Sequence, residues 1–136
     1  CKTIGITRNQ LLRLLDMLER SALLRKLYPE QGNIQSLAKP EKILFENTNM
    51  LYALSNEIEI GTLRETFFCN QLSLHHELTM PQRGDVLVDG KYLFEIGGHN
   101  KKYKQISGIT DSWIVADDIE SGIGHKIPLW LFGMLY

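Results

Sequence analysis

The chain has 136 residues and a formal net charge of -1, so it suits one compact domain or two very small ones. Hydrophobic residues make up 43% and charged residues 23% of the chain, which predicts a globular fold. The near-neutral charge excludes a generally basic nucleic-acid-binding surface, so any such site must be a local patch.

The two cysteines, Cys1 and Cys69, lie far apart and belong to no Cys-x-x-Cys or Cys/His ligand spacing. A zinc site and a disulfide framework are therefore not expected, and a cytoplasmic location is the simplest setting. The most apolar stretch, 127–136, is much shorter than the roughly 20 residues that a membrane-spanning helix needs. It is predicted to be a buried terminal segment, and no membrane partner is expected. A start at Cys1 instead of Met suggests a fragment of a longer protein.

The first element is predicted to be a helix that opens with a capping box at Thr7 to Gln10. Leucines follow at helical spacing and predict that one face of this helix is core. They are Leu11, Leu12, Leu14, Leu15 and Leu18. Two short strands are expected next, at 23–28 and 42–46. A helix followed by such a ribbon is typical of the rear half of a winged helix, and the earlier helices of that unit would lie before Cys1.

The remaining elements predict a small α/β domain. Thr62 to Glu65 has the pattern of a second capping box, which would open another helix. A strand from Gly84, a turn at Asp89-Gly90 and a returning strand predict a β-hairpin. A polar, basic helix is expected over 99–106, followed by a buried strand at 112–116.

These elements predict an α/β (α+β) fold in which a small mixed sheet is flanked by helices. They also divide the chain into two zones. A truncated winged-helix segment would span 1–55, and the α/β domain would span 56–136.

Three acidic residues are the main candidates for chemistry. Glu65 lies on a predicted helix, whereas Asp85 and Glu95 lie on neighbouring strands of the hairpin. Three converging carboxylates could hold Mg²⁺, which prefers oxygen ligands and could activate water. Capping is a simpler explanation for Glu65, and a solvated strand start is one for Asp85. Glu95 is harder to dismiss, because it lies in an apolar strand where a carboxylate needs a partner.

Two polar sets are candidates for nucleic-acid contact. Lys101, Lys102 and Lys104 form a local basic run that could contact phosphates, although a solvated face explains it as well. Arg8, Asn9 and Arg13 lie early on the first helix, where a recognition helix places its base-contacting residues. The spacing alone leaves open whether that face meets DNA or water.

Other patterns point away from further sites. His75-His76-Glu77 has no second ligand pair at a useful spacing, and Trp113 and Trp130 are expected in the core. No Gly-x-x-x-x-Gly-Lys-Ser/Thr sequence occurs, so ATP binding through a P-loop is not expected of this chain.

Four runs of the sequence carry a resemblance to a known family: 39–54, 61–68, 84–98 and 127–133. Together they resemble the C-terminal region of predicted bacterial AAA+-type ATPases, common in Bacteroidetes and archaea, and the resemblance extends over nearly the whole chain. In that family an ATPase domain precedes a winged helix and a domain of unknown function with a restriction-endonuclease-like, PD-(D/E)XK-type fold.

The resemblance implies that the N-terminal ATPase domain of the same polypeptide, a natural partner, is absent here. It matches Glu65 to the helix glutamate, Asp85 to the first strand acid and Glu95 to the acid of the Glu-x-Lys element. Gly97 stands where that element has lysine, which normally positions the attacking water. Lys101, or less plausibly His99, could reach back to supply the missing charge.

Three functions are therefore carried forward. The first is a non-catalytic or weakly catalytic accessory module of an AAA+-type ATPase that binds nucleic acid or a partner protein. The second is a Mg²⁺-dependent DNA endonuclease that uses Glu65, Asp85, Glu95 and Lys101 as its catalytic set. The third is a structural domain that forms a homodimer.

Overall fold

A computed structural model describes residues 5–31 and 39–136, and its elements alternate between helices and short strands. The helices are α1 (Arg8–Arg20), α2 (Thr48–Leu54) and α3 (Ile60–Leu72). The strands are β1 (Leu24–Leu27), β2 (Lys42–Phe45), β3 (Leu78–Thr79), β4 (Val86–Val88), β5 (Tyr92–Gly97), β6 (Ser112–Ala116) and β7 (Lys126–Pro128). Two 3₁₀ helices cover Tyr103–Gln105 and Leu129–Met134.

The N-terminal helix and ribbon form as the sequence predicts. The capping box at the start of α1 is present, with the Thr7 hydroxyl accepting from the Gln10 amide and the Gln10 side chain accepting from the Thr7 amide. Strands β1 and β2 pair antiparallel, with Leu24 opposite Phe45. The buried Lys26 of β1 forms ion pairs with Asp16 and Glu19, which hold α1 against the ribbon.

The apolar face of α1 is less buried than its leucines predict. None of its residues is fully buried, and Leu14 and Met17 are 47% and 65% exposed. Among the described residues this face is therefore covered only in part, and its leucines do not belong to the buried core that their spacing predicts.

Two helix starts differ from the sequence prediction. Helix α2, which the sequence analysis does not predict, begins after Asn47, whose side chain accepts from the Met50 amide at 3.2 Å. Helix α3 begins before the predicted Thr62, because the Glu59 carboxylate accepts from the amides of Gly61 and Thr62. Glu65 is therefore in the second turn of α3 and is not a capping residue.

The five-stranded sheet has the order β3-β4-β5-β6-β7. The β3–β4 and β4–β5 pairs are antiparallel, whereas the β5–β6 and β6–β7 pairs are parallel. The predicted hairpin is present, and Asp89 and Gly90 have φ values of 53° and 62°, as tight hairpin turns require. This mixed sheet with helices confirms the predicted α/β fold class.

The link from β5 to β6 is not the predicted helix. Only Tyr103–Gln105 is helical, as a single 3₁₀ turn, and Gly108 (φ +82°) turns the chain back toward β6. The segment has no apolar side chains at helical spacing before Ile106, so nothing would fix an α-helix against the sheet.

The two faces of the sheet bury different clusters. One face packs against α3 and the C-terminal 3₁₀ helix through Phe68, Phe94 and Phe132. The other face is covered by the loop segment around Ile106. Leu27 and Leu44 of the ribbon belong to the first cluster, so the packing crosses the predicted division at residue 55.

The C-terminal apolar stretch is buried only in part. Leu129 and Phe132 are buried, whereas Trp130 is 50% exposed, which corrects its expected place in the core. Trp113 is half-buried and packs beside Phe94. Within 5–31 and 39–136, no helix has the length and apolarity needed to cross a membrane.

Candidate functional site

Glu95 is the most deeply buried acid and lies near the end of β5. Its side chain is paired with Lys101, whose Nζ is 2.6 Å from Glu95 Oε1. The residue is only 3% exposed. Side chains alternate along a strand, so Glu95 lies on the face of Leu93, whereas Phe94 and Ile96 face α3.

Gly97 gives Lys101 its path to Glu95. A Cβ on Gly97 would lie 2.7 Å from Lys101 Cδ and 3.0 Å from Lys101 Cγ. The carbon chain of Lys101 therefore occupies the place where a side chain at position 97 would stand. Lys101 thus places its ammonium group beside Glu95 from the loop that follows β5.

Asp85 lies just before β4, on the strand that pairs with β5. Val86 pairs with Phe94, and the Asp85 amide donates to the Phe94 carbonyl, which places Asp85 beside Glu95. The Asp85 carboxylate accepts from the Ile96 amide at 2.7 Å. Asp85 thus has a structural role at the hairpin as well as a position next to the Glu95–Lys101 pair.

Glu65 does not join this pair. It lies on α3, which packs on the opposite face of β5, and its Oε2 is 2.7 Å from Lys42 Nζ on the ribbon. Its neighbour one turn along α3, Cys69, is almost fully buried. Burial, with a smaller contribution from the nearby carboxylate of Glu65, raises the pKa of the Cys69 thiol to about 12.

The predicted magnesium ligands are therefore not assembled. Across the described ranges, no three or more His, Cys, Asp or Glu side chains are arranged to hold a metal ion. The reason is geometric: the pleat of β5 turns Glu95 away from α3, and each predicted ligand already has a partner within the chain. The residues present do not fit Mg²⁺ held by Glu65, Asp85 and Glu95 together.

The two predicted nucleic-acid-binding sets lie on separate elements. Arg8, Asn9 and Arg13 are exposed on α1, which packs against β1. The lysine set follows β5: Lys102 and Lys104 are exposed, whereas Lys101 is half-buried beside Glu95.

A cleft of about 400 Å³ adjoins Lys101, and most of its residues were not predicted as site residues. It lies between the loop after β5 and the start of β7. Its lining consists of Lys101, Lys102, Tyr103, Ile114, Ile123, His125 and Lys126. The sequence gives no signal for His125 and Lys126, because their approach depends on the parallel register that sets Ile114 opposite Lys126.

The histidine pair at 75–76 is engaged in structural contacts. His76 Nδ1 lies 2.7 Å from Asp89 Oδ2 at the hairpin turn, and the His75 ring packs against Tyr136. The hydrogen bond from His76 lowers the pKa of Asp89, with a further contribution from the Glu77 amide.

Comparisons with known proteins identify no relative of this chain. No protein-family model, no curated protein and no solved structure matches the chain.

Proposed function

We propose that this chain is an accessory module of a bacterial, cytoplasmic AAA+-type ATPase, that it binds nucleic acid, and that it has little or no catalytic activity of its own. The observation that carries the proposal is the lysine-lined cleft beside Glu95. The resemblance in sequence supplies the larger ATPase as context, with its N-terminal domain as the natural partner.

The charge of the cleft supports an anionic ligand. Lys101, Lys102 and Lys126 line it, and no aspartate or glutamate does. Of these three lysines, only Lys101 has a carboxylate partner among the described residues. A local basic patch on a near-neutral chain is the electrostatic feature that phosphate backbones require.

The partners of the three acids support weak or absent catalysis. Glu95 is neutralised by Lys101, Glu65 by Lys42, and Asp85 is bonded to the β5 backbone. A hydrolytic site needs charge aimed at a reacting group and not already compensated within the protein.

Salt-dependent binding to DNA tests the proposal. The wild type should bind a fluorescent duplex or single strand, and the affinity should fall steeply as salt rises. The double variant Lys102→Met/Lys104→Met should reduce the magnitude of the salt slope by about 1 for each phosphate contact that is lost. Lys91→Met, an exposed lysine on the β4–β5 turn, is the matched control and should leave the slope unchanged. Binding that is absent or independent of salt would contradict the proposal.

A metal-dependent endonuclease is the second candidate, and one observation favours it. Lys101 places an ammonium beside Glu95, and Asp85 lies on the adjacent strand. Cleavage of plasmid DNA with Mg²⁺ or Mn²⁺ that is abolished in Asp85→Ala would establish this activity. Equal inertness of the wild type and the variant at high protein concentration would exclude it.

A dimerisation domain is the third candidate, favoured by an open apolar groove of about 500 Å³. The groove lies between the end of α1, the ribbon and α2. It is lined by Leu18, Leu23, Leu24, Phe45, Met50, Ala53 and Leu54. Light scattering over a range of concentrations should show a dimer if this groove joins two copies, and a strict monomer would exclude it.

A further inference from the structure

The cleft beside Glu95 has a rigid aromatic wall formed by Tyr103 and His125. Their rings stack with centroids 4.7 Å apart at an angle of 25°. Ring pairs at this separation stabilise one another, so each ring limits the motion of the other. His125 is nevertheless an exposed residue.

Hydrogen bonds of fixed direction hold Tyr103 in this wall. The Ser112 hydroxyl donates its single proton to the Ile109 carbonyl, at 2.6 Å. The Tyr103 hydroxyl lies 2.6 Å from the same Ser112 oxygen and must therefore be the donor between the two. Ser112 is fully buried in β6, so this contact ties the tyrosine to the sheet.

His125 is fixed by the same residue of β6. Its Nδ1 lies 3.1 Å from the Ser112 carbonyl oxygen. A carbonyl can only accept, so Nδ1 carries the proton, and Nε2 is left to contact a ligand. The ring is thereby locked in orientation at the mouth of the cleft.

The lysines of the cleft supply charge next to this wall. Lys126 donates to the His99 carbonyl at 2.9 Å, and an ammonium retains further donors after one such bond. Lys102 is exposed and pairs with no carboxylate in the portion of the chain that the structure describes. A ligand here meets two ammonium groups whose charge is not compensated.

We propose that this cleft binds one nucleotide of a single-stranded nucleic acid, with its phosphate at Lys102 and Lys126 and its base against the His125 ring. The proposal rests on the nucleic-acid-binding function and names the ligand of that same site. Stacking of bases on exposed aromatic rings beside a basic groove is how single strands are held without sequence preference. Ile123, which is 84% exposed at the rim, adds apolar contact for the base.

Oligonucleotides with and without bases test the two parts of the site separately. Fluorescence anisotropy would compare a single-stranded oligonucleotide with an abasic strand of equal length, which keeps the phosphates. His125→Ala should weaken binding of the normal strand about five-fold or more, the effect of losing one stacked base. On the abasic strand, His125→Ala should bind like the wild type, whereas Lys102→Met should be weaker than wild type on both strands.

Two controls make the outcome decisive. Lys91→Met should bind both strands like the wild type, and circular dichroism should show the same fold for every variant. If the wild type binds DNA but His125→Ala binds the normal strand as tightly as the wild type does, the nucleotide site is refuted while nucleic-acid binding stands. If the wild type binds neither strand nor duplex at low salt, both proposals fail together.

Discussion

The Lys101 ammonium lies 2.6 Å from Glu95 Oε1, and the carbon chain that carries it crosses Gly97. A carboxylate that is only 3% exposed requires a partner of opposite charge or several hydrogen bonds. The lysine reaches this acid because residue 97 has no Cβ in its path. The three residues therefore act as one unit, in which the glycine is as necessary as the charges.

Adding a methyl group at residue 97 should break this unit. In Gly97→Ala the new Cβ would lie 2.7 Å from Lys101 Cδ and 3.1 Å from Lys101 Cβ. The lysine chain must move from near its base, which draws the ammonium away from Glu95. We expect a loss of about 1–3 kcal/mol in the free energy of unfolding, typical of overpacking, measured by urea denaturation.

The neighbouring glycine provides the control. In Gly98→Ala the nearest atoms of Arg64 would be 3.4 Å from the new Cβ, an ordinary contact. This variant should change the free energy of unfolding much less than Gly97→Ala. Equal effects of the two substitutions would show that the Lys101 path is not what makes residue 97 special.

Removing the Lys101 ammonium should destabilise the fold, because a buried carboxylate without a partner is unfavourable. Lys101→Met keeps most of the carbon chain over Gly97 but leaves Glu95 without its ion-pair partner. We expect the free energy of unfolding to fall by about 3 kcal/mol. This value is at the lower end of the range for breaking a buried ion pair, because Lys101 is 30% exposed. The same substitution in a Glu95→Gln background should cost far less. A double-mutant cycle measures this difference, and purely additive effects would contradict the pairing.

Some local features of this fold were accessible from the sequence, whereas the site depends on long-range pairing. The Thr7 capping box and the Asp89-Gly90 turn are set by a few neighbouring residues, and both form as predicted. The sequence alone does not distinguish Glu65 from Glu95 as a candidate metal ligand. Only the alternation of β5 and the docking of α3 place them on opposite faces of the sheet.

The core on the α3 face should be sensitive to truncation at Phe68. This ring is 0% exposed and lies 5.1 Å from Phe94 and 4.8 Å from Phe132 between ring centroids. Phe68→Ala removes its contacts with both rings and leaves a cavity, so we expect a loss of about 3–5 kcal/mol in the free energy of unfolding. Trp130→Ala, at a residue that is 50% exposed, should cost much less. A Trp130 effect as large as that of Phe68 would show that Trp130 is buried after all.

The N-terminal cap of α3 should make stability depend on pH. Hydrogen bonds from the amides of Thr62 and Gly61 lower the pKa of Glu59 below its ordinary 4.5. A carboxyl whose pKa is lower in the folded state contributes stability above pH 4.5, and that stability is lost as the pH falls through the folded pKa. Glu59→Ala should therefore lower the melting temperature at neutral pH, and its difference from wild type should shrink below pH 4.5.

Glu57→Ala removes the same charge from an exposed residue that caps no helix, so it should show a smaller effect. Thermal melts of all three proteins across this range measure the difference, and a gap that stays constant with pH would mean that the Glu59 carboxylate does not cap the helix.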